Sequence, residues 1–214
     1  MSNPPSERAR VKRYSQNAAY DPETVHAILD AMPLCHVGYV FNGSPFVTPT
    51  LQWRDGDRIF WHGSAASRML KAAEVQDVCV TVSLYDGLVM ARSAYNYGIN
   101  YRSVMVFGRP VKLTDPAEKE AQLRNFVNKT IAGQWERLRP VTEQELGLAT
   151  VLSMPITEAS AKLRSGQPDD DQDADFPVWA GVIPVRFEIG PPEPNPKNLP
   201  GVELPPEALD FKLG

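Results

Sequence analysis

The stretch Ile59-Phe-Trp-His-Gly-Ser-Ala-Ala-Ser-Arg-Met-Leu-Lys-Ala-Ala-Glu74 reads as a strand, a glycine turn and an amphipathic helix. Aromatic and β-branched residues lead, Gly63 interrupts them, and small or straight-chain residues follow. At about 100° per residue, Ser64, Ser67, Arg68 and Lys71 fall on one narrow helical face, and Ala65, Ala66, Met69, Leu70, Ala72 and Ala73 occupy the other. The apolar face can be buried on a sheet. Hydroxyls, a guanidinium and an ammonium then converge near the helix start, where free backbone N–H groups and the helix dipole favour an anion. Each charge-assisted hydrogen bond to such an anion is worth roughly 1.5 to 3 kcal/mol. An ordinary helix with a polar outer face has the same spacing, so the pattern alone leaves both readings open.

On either side the period is that of strands. Leu34 to Phe41, a turn at Asn42-Gly43, Pro45 to Trp53, a turn at Arg54-Asp-Gly-Asp57 and Arg58 to His62 form an antiparallel meander. Pro49 inside Val47-Thr-Pro-Thr-Leu-Gln52 removes a ladder donor and marks an edge or bulge, either a plain edge or one that offers free backbone groups to a heterocycle. Downstream, Asp77 to Tyr85, a turn at Asp86-Gly87 and Leu88 to Ser93 read as a hairpin. Tyr101 to Leu113 reads as a long strand bent near Gly108 and Pro110. Arg102 at its start is expected to be free for a ligand or a second subunit, or simply exposed. Thr150 to Ile156 returns to strand pattern, Ser160, Lys162 and Arg164 share a face beyond it, and Val178 to Ile189 is the last expected strand.

Helices have clear signals. Asp21-Pro22 caps a run with Val25, Ile28, Leu29 and Met32 on one stripe and Pro33 as its stop; His26 lies off the stripe and is expected in solvent. Asp115-Pro116 caps a second run whose stripe is Leu123, Phe126, Val127 and Ile131, ended by Gly133, and Thr142-Glu-Gln-Glu145 is a capping box. Residues 1–20 form a basic arm expected to be mobile unless packed on a partner. Residues 21–190 form one domain, and the proline-rich 191–214 is a tail expected to run extended over the surface or along a partner. The class is mainly β with α: a barrel or sandwich of short antiparallel strands with flanking helices.

The 214 residues, 43% of them hydrophobic, can bury a full core. A net charge of -4 argues against nucleic acid or a membrane surface as partner, so any anion site has to be local. No signal-peptide or membrane-span run is present, and a cytoplasmic location is expected. Cys35 and Cys79 sit in apolar strand-like runs that suit reduced thiols, though one bridge stays open. The three histidines show no metal-ligand spacing, so no metal is expected. Asp169-Asp-Asp-Gln-Asp-Ala-Asp175 alternates carboxylates, but an EF-hand loop would need glycine at Ala174 and glutamate at Ala180, so a solvated loop is expected.

Phe60-Trp-His-Gly-Ser-Ala-Ala-Ser-Arg68, Tyr101-Arg-Ser-Val-Met-Val-Phe-Gly108, Ala159-Ser-Ala-Lys-Leu-Arg-Ser-Gly166 and Val178-Trp-Ala-Gly-Val-Ile-Pro184 occur in the order found in one family. Together they resemble the flavin-nucleotide-binding, nitroimidazole-resistance-like branch of the pyridoxamine 5'-phosphate oxidase-like superfamily, over roughly residues 13 to 190. The resemblance implies an FMN-binding split barrel and a homodimer with a flavin at each subunit interface. It also implies site residues: Ser67 and Arg68 on the flavin phosphate; Trp61, His62 and Gly63 at the strand end beside the cofactor; Thr48, Pro49, Thr50, Leu51 and Gln52 along the ring. Arg102 and Ser103 would reach the flavin from the other subunit, with Trp179 nearby; Lys71 is added by the helical wheel alone. Where the oxidase carries arginine and lysine in the ring-binding strand, this chain has Val47 and Gln52, and its arginine-rich C-terminal signature has no counterpart, so pyridoxamine phosphate oxidation is not expected.

His62 resembles a histidine that lies close to the flavin in nitroimidazole-resistance relatives, and is a catalytic candidate; the alternative is a histidine packed against the helix start. The expected function is an FMN-dependent oxidoreductase with an unidentified small-molecule substrate. The alternatives are a non-catalytic flavin-binding or storage protein, and a deazaflavin- or haem-binding member of the barrel in which His62 serves the iron.

Overall fold

Residues 3–213 are described by the structure, a computed structural model. Met1, Ser2 and Gly214, the outermost residues of the expected arm and tail, lie outside them. In chain order the elements are β1 (Ala18–Ala19), α1 (Pro22–Ala31), β2 (Leu34–Phe41), β3 (Ser44–Asp55), β4 (Arg58–Ser64), α2 (Arg68–Ala73), β5 (Val78–Met90) and β6 (Gly98–Gly108). They continue with β7 (Val111–Lys112), α3 (Pro116–Thr130), α4 (Glu143–Leu148), β8 (Ala149–Pro155), β9 (Ala159–Arg164) and β10 (Gly181–Pro184). The strands form one antiparallel sheet in the order β1-β9-β6-β5-β2-β3-β4-β8-β7, with β10 added to β5. Its ends do not pair, so the barrel is split.

Local chemistry explains the elements. Asp21 accepts from Thr24 N at 2.8 Å and Asp115 from Ala117 N at 3.0 Å, while Thr142 and Glu145 complete their capping box. Asn42 and Gly43 take φ of 49° and 75°, as a two-residue hairpin turn requires. The main core joins Val25, Ile28 and Leu29 of α1 to Val37, Trp61, Leu70, Val80, Val104 and Leu152. A smaller cluster on the other face of the sheet unites Trp53, Phe60, Leu113 and Val151, with Leu123 and Phe126 of α3 half-buried on it.

Several expectations are corrected. Asp86-Gly87 is a bulge within one long β5, not a hairpin turn, because β10 runs past it and a Cβ on Gly87 would come within 3.0 Å of Ile183 O. The final strand shortens to β10. The basic arm is docked on its own chain: Arg8 donates to Glu158 at 2.8 Å and Asp77 at 2.7 Å, and Ala9 is buried. His26 is largely covered and lies 3.6 Å from Asp57. In the acidic loop Asp170 is buried, accepting from Arg92 N at 2.7 Å and from the Arg92 guanidinium at 2.9 Å. Both cysteines are free, and burial pushes the Cys35 thiol up to about 12. The tail runs extended and exposed, then returns through a turn at Pro206–Asp210, where Glu207 accepts from Arg137 at 2.9 Å. No helix of the described residues is long and apolar enough to cross a membrane.

Candidate functional site

The split in the barrel is set by β3. It pairs with β2 from Ser44 to Leu51 and with β4 only from Gln52 to Asp55, so Thr48 to Leu51 line an open edge containing Pro49. Across that opening β4 ends at Ser64 and α2 begins only at Arg68. Ser64 therefore leaves the helical face on which spacing placed it. Ser67 is the N-cap, accepting from Leu70 N at 3.4 Å.

Arg68 extends outward and rests on aromatic rings, 4.4 Å from the Phe46 centroid and 5.4 Å from that of Phe41. Phe46 stacks on Tyr39 at 5.7 Å, and the Tyr39 hydroxyl lies 3.2 Å from Thr48 Oγ1. Ser67, Arg68, Phe46, Tyr39 and Thr48 thus form one contiguous row joining α2 to the open edge. Phe46 and Tyr39 went unnoticed in the sequence because their alternation already accounts for them as strand residues. Lys71 is exposed beside this row, and Pro49 and Thr50 continue along the edge.

The remaining expected residues make contacts within this chain. Gln52 is buried and donates from Nε2 to Leu29 O at 2.6 Å and Met32 O at 2.9 Å, satisfying carbonyls at the end of α1. Trp61 lies wholly inside the main core. Gly63 makes room for α2: a Cβ there would stand 3.2 Å from Leu70 Cδ1. Arg102 and Ser103 are strand neighbours and project from opposite faces of β6. Arg102 is not free. It donates to Asp86 at 3.0 and 2.8 Å, and that hydrogen bonding holds its guanidinium above its ordinary pKa. Ser103 faces outward and donates to Lys162 O at 3.3 Å. Trp179 is exposed, with its indole against Gly181.

His62 lies on the other face of β4 from Trp61, under α3. Its ring is 5.7 Å from Trp53 and 5.6 Å from Phe126. In the stripe expected to be buried, to which Ile131 also belongs, Leu123, Phe126 and Val127 are only half-buried: Leu123 and Phe126 rest on the Trp53 cluster, while this flank of α3 borders open space. The space beneath is a cleft of about 430 Å³, lined by His62, these three residues, Leu138 and Val141, with Arg139 and Glu145 also on its wall. His62 Nδ1 is buried and has no hydrogen-bond partner. Burial lowers its pKa, so the imidazole is neutral at pH 7. A neutral imidazole on the wall of a largely apolar cleft suits ligation of a metal centre or hydrogen bonding to a ligand. Among the described residues no cluster of three or more His, Cys, Asp or Glu could hold a metal ion on its own.

A family profile described as Pyridoxamine 5'-phosphate oxidase matches residues 21–163. The chain belongs to the pyridoxamine 5'-phosphate oxidase family. A search of curated proteins finds no match. Among solved structures, the flavocytochrome Anf3 from Azotobacter vinelandii is 57% identical over 100% of both chains, with a TM-score of 0.97. The FAD and heme binding protein from Mycobacterium smegmatis is 32% identical over 92% of this chain and 97% of that one, with a TM-score of 0.86. A candidate 5-nitroimidazole antibiotic resistance protein from Bacteroides thetaiotaomicron is 19% identical over 68% and 85%, with a TM-score of 0.58, and so shares the fold. Family membership accounts for the ordered set of segments and for the split barrel.

Proposed function

We propose that this chain is a flavin-binding redox protein of the pyridoxamine 5'-phosphate oxidase family, acting in the cytoplasm as a homodimer and carrying haem as a second cofactor. Flavin and haem come from the names of the two relatives aligned over nearly their full lengths. The observation that carries the haem reading is His62: a neutral imidazole on the wall of an aromatic and aliphatic cleft under α3, its Nδ1 buried and unpaired among the described residues. An orphaned buried polar atom costs roughly 1 to 3 kcal/mol, which a ligand would offset. The residues fit such a group. His62 would hold the iron, and Leu123, Phe126 and Val127 would cover the ring and keep water out.

The flavin belongs on the other side of the sheet. Ser67 and Arg68 would bind its phosphate, Phe46 and Phe41 hold the guanidinium in place, and the open edge at Thr48 to Leu51 would offer backbone groups to the ring. Ser103 of a second subunit would help close the site, whereas Arg102 would have to leave Asp86 to do so. The family pattern implies FMN and the M. smegmatis relative names FAD; both carry the phosphate that Ser67 and Arg68 suit. The flavin supplies two-electron and one-electron redox chemistry, and an oxidoreductase acting on a small molecule is the activity that follows.

The absorption spectrum of the purified protein, with its flavin released and identified by chromatography, tests the reading. Flavin bands together with a Soret band are expected, and His62→Ala should lose the Soret band while keeping flavin. A colourless protein would overturn the whole reading. An intact Soret band in His62→Ala would move the haem elsewhere.

A further inference from the structure

A second polar cleft, of about 520 Å³, opens where the ends of β6 and β9 meet the N-terminal arm. It is far from Arg68. Gly98, on its wall, pairs with Val89 near one end of β5, whereas Phe41, under Arg68, lies beyond the Val78 end. Eleven residues of strand separate those ends, roughly 35 Å at about 3.3 Å per residue.

Three cations converge on this cleft, Arg13, Lys162 and Arg164, in a chain whose net charge is -4. Among the described residues none of them has a carboxylate within ion-pair distance. Arg164 is held in place, donating to Oδ1 of the buried Asn100 at 2.7 Å. Tyr14 stands between the other two, 5.2 Å from the Arg13 guanidinium and 5.7 Å from Lys162 Nζ. Its backbone takes φ of 53°, a left-handed conformation that a bulky residue adopts only against a steric penalty. Tyr95, Tyr97 and Tyr101 add further ring surface. Asn96 also lines the cleft, and its Nδ2 is a buried donor with no partner among the described residues.

A small inorganic anion would leave these rings unused, and a neutral aromatic would leave the cations uncompensated. A group with both an aromatic base and adjacent phosphates uses all of them: the tyrosines to stack, the cations to bind the phosphates, Asn96 to donate. Asp169, the one carboxylate on the wall, can accept from a ribose hydroxyl or an exocyclic amine. We propose that this cleft binds a nucleoside diphosphate group, the adenosine diphosphate half of a dinucleotide. That half occurs both in nicotinamide dinucleotides and in FAD, whose two phosphates are joined directly, so its flavin half would be held by Ser67 and Arg68 of a second subunit lying across the face that carries Lys162 and Arg164, not by those of the same chain. The site itself does not depend on the flavin reading; only the choice between these two sources does.

The test is calorimetric titration of ADP into the purified full-length protein, into protein reloaded with FMN and into protein reloaded with FAD. Saturable binding to the FMN-loaded form is expected, at least tenfold weaker in the double variant Arg13→Ala/Lys162→Ala and retained in Lys162→Arg. Loss of ADP binding on FAD loading identifies the flavin's own adenosine half as occupant. Binding to both forms, with NADH competing, identifies a free nicotinamide dinucleotide. Absence of saturable ADP binding to the FMN-loaded form, or equal affinity in the double variant, would overturn the proposal. Failure of the flavin reading is distinct: it shows as no flavin retained on reloading, while ADP binding is still scored on the same sample.

Discussion

At the scale of single residues, Arg68 and His62 separate two chemistries on opposite faces of one sheet. Arg68 carries a charge, lies on Phe46 at 4.4 Å and has its head in the open, so it is positioned without being consumed by a protein partner. Arg68→Ala should weaken flavin binding about tenfold or more, since a charged hydrogen bond is at stake; titration of flavin fluorescence checks this, and an unchanged affinity would place the phosphate elsewhere. His62 carries no charge, because burial depresses its pKa below 6.5. In the unfolded chain the imidazole titrates near that ordinary value. Between the two pKa values the unfolded state therefore binds more protons, and stability must fall as pH drops through this window. The neighbouring Glu145, held at about 2 chiefly by the hydrogen bond from Arg139, stays ionised in the folded protein, and its own loss of stability, set by protonation of the unfolded chain near 4.5, has the same sign and sets in only toward pH 5. Urea denaturation of cofactor-free protein between pH 7 and pH 5 should show this loss, and His62→Phe should flatten it.

At the scale of elements, the parts legible in the sequence were those whose chemistry is local. Asp21, Asp115 and Thr142 announce helix starts, Asn42-Gly43 announces its hairpin, and Pro49 marks an open edge, each through a bond or torsion satisfied within a few residues. What escaped depends on distant partners. Asp86-Gly87 has the composition of a turn, but β10 lies alongside and Arg102 claims the carboxylate, so β5 continues through a bulge. Leu123, Phe126 and Val127 have the spacing of a buried stripe, but nothing in their own sequence reveals that a cleft opens beside them. Asp170 looks like one carboxylate in a solvated run, yet its side chain is only 3% exposed and it ties residues 165–175 to Arg92. Removing one partner of a buried ion pair costs about 3 to 5 kcal/mol, and the partly exposed Arg92 places this one at the lower end. Asp170→Ala should therefore lower the urea midpoint by the equivalent of about 3 kcal/mol with an unchanged slope. A midpoint within error of wild type would mean that Arg92 finds water as readily as it found Asp170.

At the scale of the whole molecule, the sheet has one uncovered face. Tyr85 pairs with Tyr101 and Arg164, Ser83 with Ser103 and Lys162, and Thr81 with Met105 and Ser160, so these residues share the side of β5, β6 and β9 away from the core. Tyr85, Ile99 and Met105 are each more than 40% exposed there. Beyond β10, Ile183, Val185, Phe187 and Ile189 repeat at alternate positions with their side chains in solvent. Exposed rings and aliphatic side chains interleaved with Ser83, Ser103 and Lys162 suit a partner, and the partner proposed above is the chain's own copy, related by a twofold axis. The candidate flavin residues fit that arrangement, since Ser103 lies on this face while Ser67 and Arg68 do not. A dimer is therefore expected in sedimentation, and Met105→Glu, which plants a charge in the middle of the face, should yield monomers that release flavin. Val111→Glu, on exposed β7 at the other end of the sheet, should stay dimeric and yellow. A Met105→Glu protein that remained a dimer with its flavin in place would remove this face from the interface, and with it the argument that Ser103 completes the site from the second subunit.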